Sequence, residues 1–221
     1  MDETSYLQQY RKEDYDRPSV TVDLVLLTIR DGALQVLLTR RQEHPFLGKL
    51  ALPGVFVGTD ETLDEAAERA LSRKTGLSGI YFEQLYTWGA LGRDPRMRVI
   101  SVSYYALVPW EKISHPNREA EFYPVQEAAD ASDLAFDHAQ IIRYARERIR
   151  NKISYTDIAF SLVGEEFTLP ELQKVYEIIL GVPLYKANFR KKIADRIEVT
   201  DKMTTGDKHR PSRIYRKKHL T

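Results

Sequence analysis

The net charge of the chain changes sign near residue 140, and this change is the strongest constraint on its organisation. Residues 1–140 contain 15 Lys and Arg against 22 Asp and Glu, a net charge of −7, whereas residues 141–221 contain 18 against 10, a net charge of +8. A chain of 221 residues has room for two small domains. We therefore expect an acidic unit followed by a basic unit, and the basic unit is a candidate for binding a polyanion. A basic surface that is only solvated is the alternative.

The composition excludes several classes of protein and of site. The chain contains no cysteine, which excludes disulfides, thiolate catalysis and cysteine-built zinc or iron–sulfur sites. Its 43% hydrophobic and 29% charged residues are typical of a globular chain. No apolar run approaches the roughly 18 residues that span a bilayer, and the polar start Met1-Asp2-Glu3 is unlike a signal peptide. We expect a cytoplasmic protein with no membrane partner.

The acidic unit has the pattern of a hairpin followed by a capped helix. Two apolar, β-branched runs at 20–29 and 34–39 flank a turn at Asp31-Gly32, which predicts a β-hairpin. Thr62 and Glu65 form a capping box, and a helical apolar period follows until Gly76. The chain begins with a polar arm over 1–17. After the first helix we predict two strands at 81–87 and 99–108, a loop-rich stretch over 109–136 and a second helix over 137–152.

The segment around the first helix resembles the Nudix box, which is a glycine, five residues, a glutamate, seven residues, then Arg-Glu-apolar-x-Glu-Glu-x-Gly-apolar. The residues that fall on their places are Glu61, Arg69, Leu71, Gly76 and Leu77. In the family, glutamates at three- and four-residue spacing share a helix face and hold Mg²⁺, which activates water against a pyrophosphate. Here those three places hold Ala70, Arg73 and Lys74, and Val55 replaces the first glycine. Like charges cannot hold a dication, so we expect no metal, no cofactor and no catalytic residue.

Two other readings of this segment stay open. A pyrophosphohydrolase of nucleoside diphosphate derivatives such as ADP-ribose is the competing class. The positive charge of Arg73 and Lys74 could also hold a phosphate or carboxylate, although cations near a helix C-terminus are favoured by the helix dipole in any case.

The basic unit has the spacing of a winged helix. Thr168 and Glu171 form a second capping box, and a buried stripe follows until Gly181. A short turn and a basic helix over 186–196 complete a helix-turn-helix pattern. Two short strands, 197–200 and 213–216, predict a hairpin wing. A small helical domain with a solvated basic face is the alternative.

The exposed side of the basic helix carries residue types that contact DNA. Asn188 is the candidate for a base contact, and Arg190 and Lys191 are candidates for bases or nearby phosphates. The candidates for the backbone or groove are Lys186, Lys192, Lys208, His209, Arg210 and Arg213.

The two halves together resemble the Nudix-related transcriptional regulators, the NrtR family. The similarity rests on the degenerate box, on residues 89–95 and 99–107, on the run 167–193 and on the late Arg-Pro-Ser-Arg-Ile-Tyr-Arg. It implies an α+β chain with an N-terminal arm at 1–17, a Nudix α/β/α sandwich at 18–145 and a C-terminal winged helix-turn-helix at 153–221. It also implies a homodimeric bacterial repressor of NAD-related or sugar-utilisation genes that binds double-stranded operator DNA. Its effector would be ADP-ribose-like or a pentose. The chain departs from the family at its eroded box and at Lys49, where a tryptophan is often found.

Four charged residues are candidates for the effector site because they lie at strand ends and in loops beside the expected cleft. They are Arg40, Arg41, Arg93 and Asp94. Surface ion pairs are the alternative interpretation. A scaffold or RNA-binding protein without an operator is a third functional class, alongside the regulator and the hydrolase.

Overall fold

The computed structural model describes residues 2–113, 120–204 and 211–218. Helices α1 to α6 are Glu3–Gln9, Leu63–Thr75, Val125–Asp130, His138–Lys152, Leu169–Leu180 and Lys186–Ile193. Strands β1 to β10 are Ser19–Arg30, Ala33–Arg40, Leu50–Ala51, Gly54–Phe56, Phe82–Trp88, Val99–Leu107, Ala120–Pro124, Glu166–Thr168, Ile197–Met203 and Arg213–Lys217. These elements confirm an α+β chain, with one mixed seven-stranded sheet and one antiparallel three-stranded sheet.

The larger sheet is organised around β1. This strand pairs in parallel with β6 from Ser19↔Val99 to Leu27↔Leu107 and forms the predicted antiparallel hairpin with β2. The strand order is β3-β2-β1-β6-β5, with β4 paired to β1 and β7 paired to β2. Because β1 lies at the centre, its residues from Val22 to Thr28 are buried on both faces of the sheet.

Helices cover both faces of this sheet, as an α/β/α sandwich requires. Leu24 and Leu26 belong to one apolar cluster, which includes Leu71 of α2. Val25 and Leu27, which alternate with them, belong to a second cluster that includes Ile142 and other residues of α4. The capping box of Thr62 and Glu65 fixes the start of α2, and Gly76, with φ 71°, ends it.

The prediction of a loop-rich stretch over 109–136 missed two regular elements. Strand β7 pairs with β2 from Gln35↔Pro124 to Thr39↔Ala120, and α3 follows it directly. Both elements are short, and α3 buries only Val125, Ala128 and Ala129. An apolar stripe of three residues in six gives too little periodicity to be recognised.

The C-terminal unit is a winged helix. Strands β8, β10 and β9 form a three-stranded antiparallel sheet, and β9 with β10 is the predicted wing. The capping box of Thr168 and Glu171 starts α5, and Gly181 ends it with φ 72°. The second helix is shorter than predicted: α6 ends at Ile193 and a 3₁₀ turn covers 194–196.

One apolar cluster runs through both units. It contains Val25 of the central sheet, Ile149 and Ile153 at the end of α4, and Leu172 and Tyr176 of the winged helix. Helix α4 contacts both β1 and α5. Ile149 and Ile153 are completely buried. Helix α4 therefore belongs to the core of both units. Within the described ranges, no helix is long and apolar enough to cross a membrane.

We predict that Ile153→Ala lowers the free energy of unfolding by about 2–5 kcal/mol, because it leaves a cavity where the two cores meet. Denaturant unfolding followed by intrinsic fluorescence measures this change. Tyr155→Ala is the matched control, since Tyr155 is 67% exposed two residues away and should cost no more than about 0.5 kcal/mol. Equal effects of the two substitutions would contradict a shared core.

Candidate effector cleft and DNA-binding surface

A cleft of about 200 Å³ opens beside β1 in the N-terminal unit. Its walls are contributed by β1, β4, the loop after β2, the loop before β6 and the start of α4. The charged and aromatic residues that line it are Asp23, Arg41, Glu43, Phe56, Arg93, Asp94, Arg96, Phe136 and His138.

The guanidinium of Arg93 is the best-connected charge in this cleft. It binds both carboxylate oxygens of Asp137, with Nη2–Oδ1 2.6 Å and Nε–Oδ2 2.9 Å, and its Nη2 lies 3.4 Å from Oδ2 of Asp23. Only 5% of the Arg93 side chain is exposed. Burial lowers the pKa of Arg93, but the two carboxylates more than offset it, and the net effect is a raised pKa.

His138 is fixed in the neutral state next to this pair. Its Nδ1 accepts a hydrogen bond of 2.9 Å from the backbone N–H of Leu52, so the proton lies on Nε2, 3.7 Å from Oδ1 of Asp23. Burial lowers the pKa of His138 despite the nearby Asp23 and Asp137. A side chain at Gly54 would not fit here, because its Cβ would lie 2.4 Å from Asp23 Oδ1.

Two further arginines lie over aromatic rings at the walls. The guanidinium of Arg41 is 4.8 Å from the centre of Phe136, and that of Arg96 is 5.4 Å from the centre of Phe56. Arg96 also donates to Asp94, with Nη2–Oδ2 2.7 Å. Burial, and then the like charge of Arg96, lower the pKa of Arg41. An anion placed between these arginines would relieve that repulsion.

The structure brings three of the four predicted effector residues together. Arg41, Arg93 and Asp94 line the cleft. Arg40 lies outside it and donates to the carbonyl oxygen of Gly48 at 2.6 Å; its contact with an effector stays a prediction.

Sequence reasoning missed Asp23, Arg96 and His138. The clearest signal for the first was an acidic residue interrupting the apolar run of β1. A charge on a strand that is otherwise buried requires partners, which is an indication of a site. Nothing in the spacing distinguished the other two from ordinary surface residues.

The degenerate Nudix helix does not line this cleft. Ala70 is buried in the core and Arg73 is exposed. Arg69 donates to Glu61 and to the carbonyl oxygen of Phe56, so these two box residues hold the preceding loop against α2. Among the described residues, no group of three or more acidic or histidine side chains could hold a metal ion.

The exposed side of α6 is a basic surface. Phe189 and Ile193 are buried, whereas the predicted DNA contacts Lys186, Asn188, Arg190, Lys191 and Lys192 are exposed. Lys186, Arg190 and Lys191 have no acidic partner within 4.0 Å among the residues that the structure describes. The ammonium of Lys192 lies 5.2 Å from the ring centre of Tyr176, at the edge of this surface.

The wing extends the basic surface. Arg213 is exposed on β10 and, together with Arg190, lines a groove of about 610 Å³ between α6 and the wing. The predicted contacts Lys208, His209 and Arg210 lie outside the described residues. Tyr185, directly before α6, is 84% exposed and was not among the predicted contacts.

Comparison with protein families agrees with both units. A Nudix domain model matches residues 18–145, and the NrtR DNA-binding winged helix domain matches residues 159–217. The exact boundaries between the units stay a prediction.

Three similar proteins define the family of the chain more closely. It is 39% identical over 222 residues to the ADPR responsive transcriptional repressor NtrR of Acinetobacter baylyi, covering 97% of this chain and 88% of that protein. It is 35% identical over 139 residues to an ADP-ribose pyrophosphatase of Methanocaldococcus jannaschii, covering 62% of this chain and 77% of that enzyme.

The third relative is the NrtR protein of Shewanella oneidensis, which is known in two complexes. Its crystal structure with a 27mer DNA matches with a TM-score of 0.82 and 38% identity, over 90% of this chain and 93% of that one. The structure of its Nudix domain with ADP ribose matches with a TM-score of 0.59 and 38% identity, over 67% of this chain and 99% of that one. The chain therefore belongs to the NrtR family, in which a Nudix domain precedes a DNA-binding winged helix.

Proposed function

We propose that this protein is a repressor whose winged helix binds operator DNA and whose cleft binds an ADP-ribose-like metabolite. The observation that carries the proposal is α6, which buries Phe189 and Ile193 and exposes five polar or basic side chains beside the wing. A helix fixed by its apolar side, with the other side basic and exposed, is suited to the major groove. The likeness to the DNA-bound NrtR structure supports the same conclusion.

The chemistry of the cleft supports a phosphorylated nucleotide sugar as the effector. Arg41 and Arg96 can bind a pyrophosphate, and the rings under them offer apolar surface to a base or a ribose. Asp23 and Asp94 also line the cleft, but their oxygens are already bound, by Ser101 and Arg93 and by Arg96 respectively. A cleft of about 200 Å³ is smaller than the 300–1,000 Å³ typical of small-molecule sites, so it encloses only part of such a ligand.

The assembly and location follow from this function. We propose a homodimer that reads a palindromic operator, because two copies of α6 related by a two-fold axis match two half-sites. A protein that acts on the chromosome of a bacterial cell would work in the cytoplasm.

A role without catalysis is also proposed, since Ala70, Arg73 and Lys74 stand where the family holds Mg²⁺. We expect no hydrolysis of ADP-ribose in Mg²⁺, with an active Nudix pyrophosphatase as the positive control. The double variant Arg73→Glu and Lys74→Glu should gain Mg²⁺ affinity, because it restores two of the three family carboxylates without placing a charge at the buried Ala70. Turnover by the natural chain would instead favour the hydrolase.

DNA binding tests the first half of the proposal. The probe is the duplex that the protein enriches from fragmented genomic DNA, with binding measured by fluorescence anisotropy. We expect one enriched palindrome, strong salt dependence and a loss of about 1–3 kcal/mol for Lys191→Ala if this lysine makes a specific base contact. Arg143→Ala removes the same charge from an exposed position on α4 and should have no effect. Equal binding by both variants would refute the placement of Lys191.

Substitutions of the neighbouring residues Arg40 and Arg41 test the effector site. Calorimetric titration with ADP-ribose should show that Arg41→Ala weakens binding about ten-fold or more, since a hydrogen bond to a charged group contributes about 1.5–3 kcal/mol. Arg40→Ala is the matched control and should bind within about two-fold of the natural protein, because its side chain lies outside the cleft. If only Arg40→Ala weakened binding, the effector would occupy a different site.

A further inference from the structure

The first residues of α4 are bound to the walls of the cleft. Asp137, which precedes the helix, pairs with Arg93 from the loop before β6. His138, the first residue of the helix, accepts from Leu52 and faces Asp23 of β1. Two consecutive residues thus connect α4 to three separate segments of the cleft.

The carboxylate of Asp137 does not cap α4, although Asp137 occupies the N-cap position. Aspartate before a helix normally accepts a hydrogen bond from a backbone N–H in the first turn. Asp137 makes no such bond, and both of its oxygens are bound to Arg93. The backbone N–H groups of His138, Gln140 and Ile141 already donate to the carbonyl oxygens of Ala135 and Asp137. If the pair with Arg93 opened, the N–H of Ala139 in the first turn of α4 would offer this carboxylate a second position.

Arg93 can exchange Asp137 for a ligand of the right chemistry. The fork of a guanidinium binds a phosphate in the same two-point geometry as a carboxylate. Arg41 and Arg96 line the same cleft and would attract that phosphate. The arriving negative charge would also repel Asp137. A neutral sugar has neither property.

The far end of α4 lies in the core of the winged helix. Its 15 residues span about 22 Å, and Ile149 near its end, with Ile153 just beyond it, packs in the cluster that contains Leu172 and Tyr176. Lys152 pairs with Glu83, and its Nζ is 3.1 Å from the Tyr105 hydroxyl. A shift of the helix start would therefore reach the DNA-binding unit through packed side chains.

We propose that the Arg93–Asp137 ion pair transmits effector binding: a phosphate of the effector displaces Asp137 from Arg93 and frees the start of α4, which repositions the winged helix. The inference rests on the proposed function and adds its regulation. It makes Asp137 a positioning residue, and it requires an anionic effector rather than a free pentose.

The variant Asp137→Asn tests this inference through two measurements, DNA affinity with and without ADP-ribose and the affinity for ADP-ribose itself. In the natural protein, ADP-ribose should change DNA affinity about five-fold or more. In the variant this factor should fall to within about two-fold, and ADP-ribose should bind more tightly, because no charged partner has to be displaced. Asp137→Ser, which can cap α4 but not pair with Arg93, should behave in the same way.

The control is Glu61→Gln, which breaks the Arg69–Glu61 pair outside the cleft and should leave the coupling unchanged. Ribose in place of ADP-ribose should leave DNA affinity unchanged. Natural coupling in both Asp137 variants, or weaker ADP-ribose binding by both, would overturn the inference while leaving the proposed function intact. No effect of ADP-ribose on DNA binding by the natural protein would instead refute the proposed function, and the inference with it.

Discussion

The buried charges at the end of the cleft are the constraint on which the rest of this structure depends. Asp23 lies on the central strand and is only 6% exposed. A carboxylate removed from water is stable only with partners, and it obtains them from Ser101, Arg93 and the neutral His138. Those partners come from β6, a loop and α4, so the solvation of one charge fixes three segments. Loss of a single partner from such a group typically costs about 3–5 kcal/mol.

The same group connects the cleft to the winged helix within a small protein. A conventional linker would let the two units move independently. Here α4 begins among the buried charges and ends in an apolar cluster that contains Ile149 and Tyr176. The start of the helix is therefore held by ion pairs and hydrogen bonds, and its end by apolar packing. Allosteric coupling needs a two-state element that both sites bias, and α4 is the element that lines the cleft at its start and packs against the winged helix at its end.

Much of this arrangement could be predicted, and the exceptions have physical reasons. Strong local signals, such as the capping boxes at Thr62 and Thr168, gave the correct helices to within a few residues. The short α3 carries too few apolar residues for such a signal. The cleft was only partly predicted because its members meet through tertiary packing: Asp23 and His138 are more than a hundred residues apart in the chain. Its charge and its position in a loop were enough to predict that Arg93 lines the cleft, but not that it pairs with Asp23 and Asp137.

The retained and lost residues of the Nudix box separate into two physical roles. Glu61 accepts from the backbone N–H of Gly58 and from Arg69, which also binds the Phe56 carbonyl. These contacts fasten the loop to α2 without any metal. Leu71 packs in the core, and Gly76 takes the left-handed conformation that ends the helix. The positions that differ from the motif are Ala70, Arg73 and Lys74. The residues that match the motif are therefore the ones with a structural role in this fold.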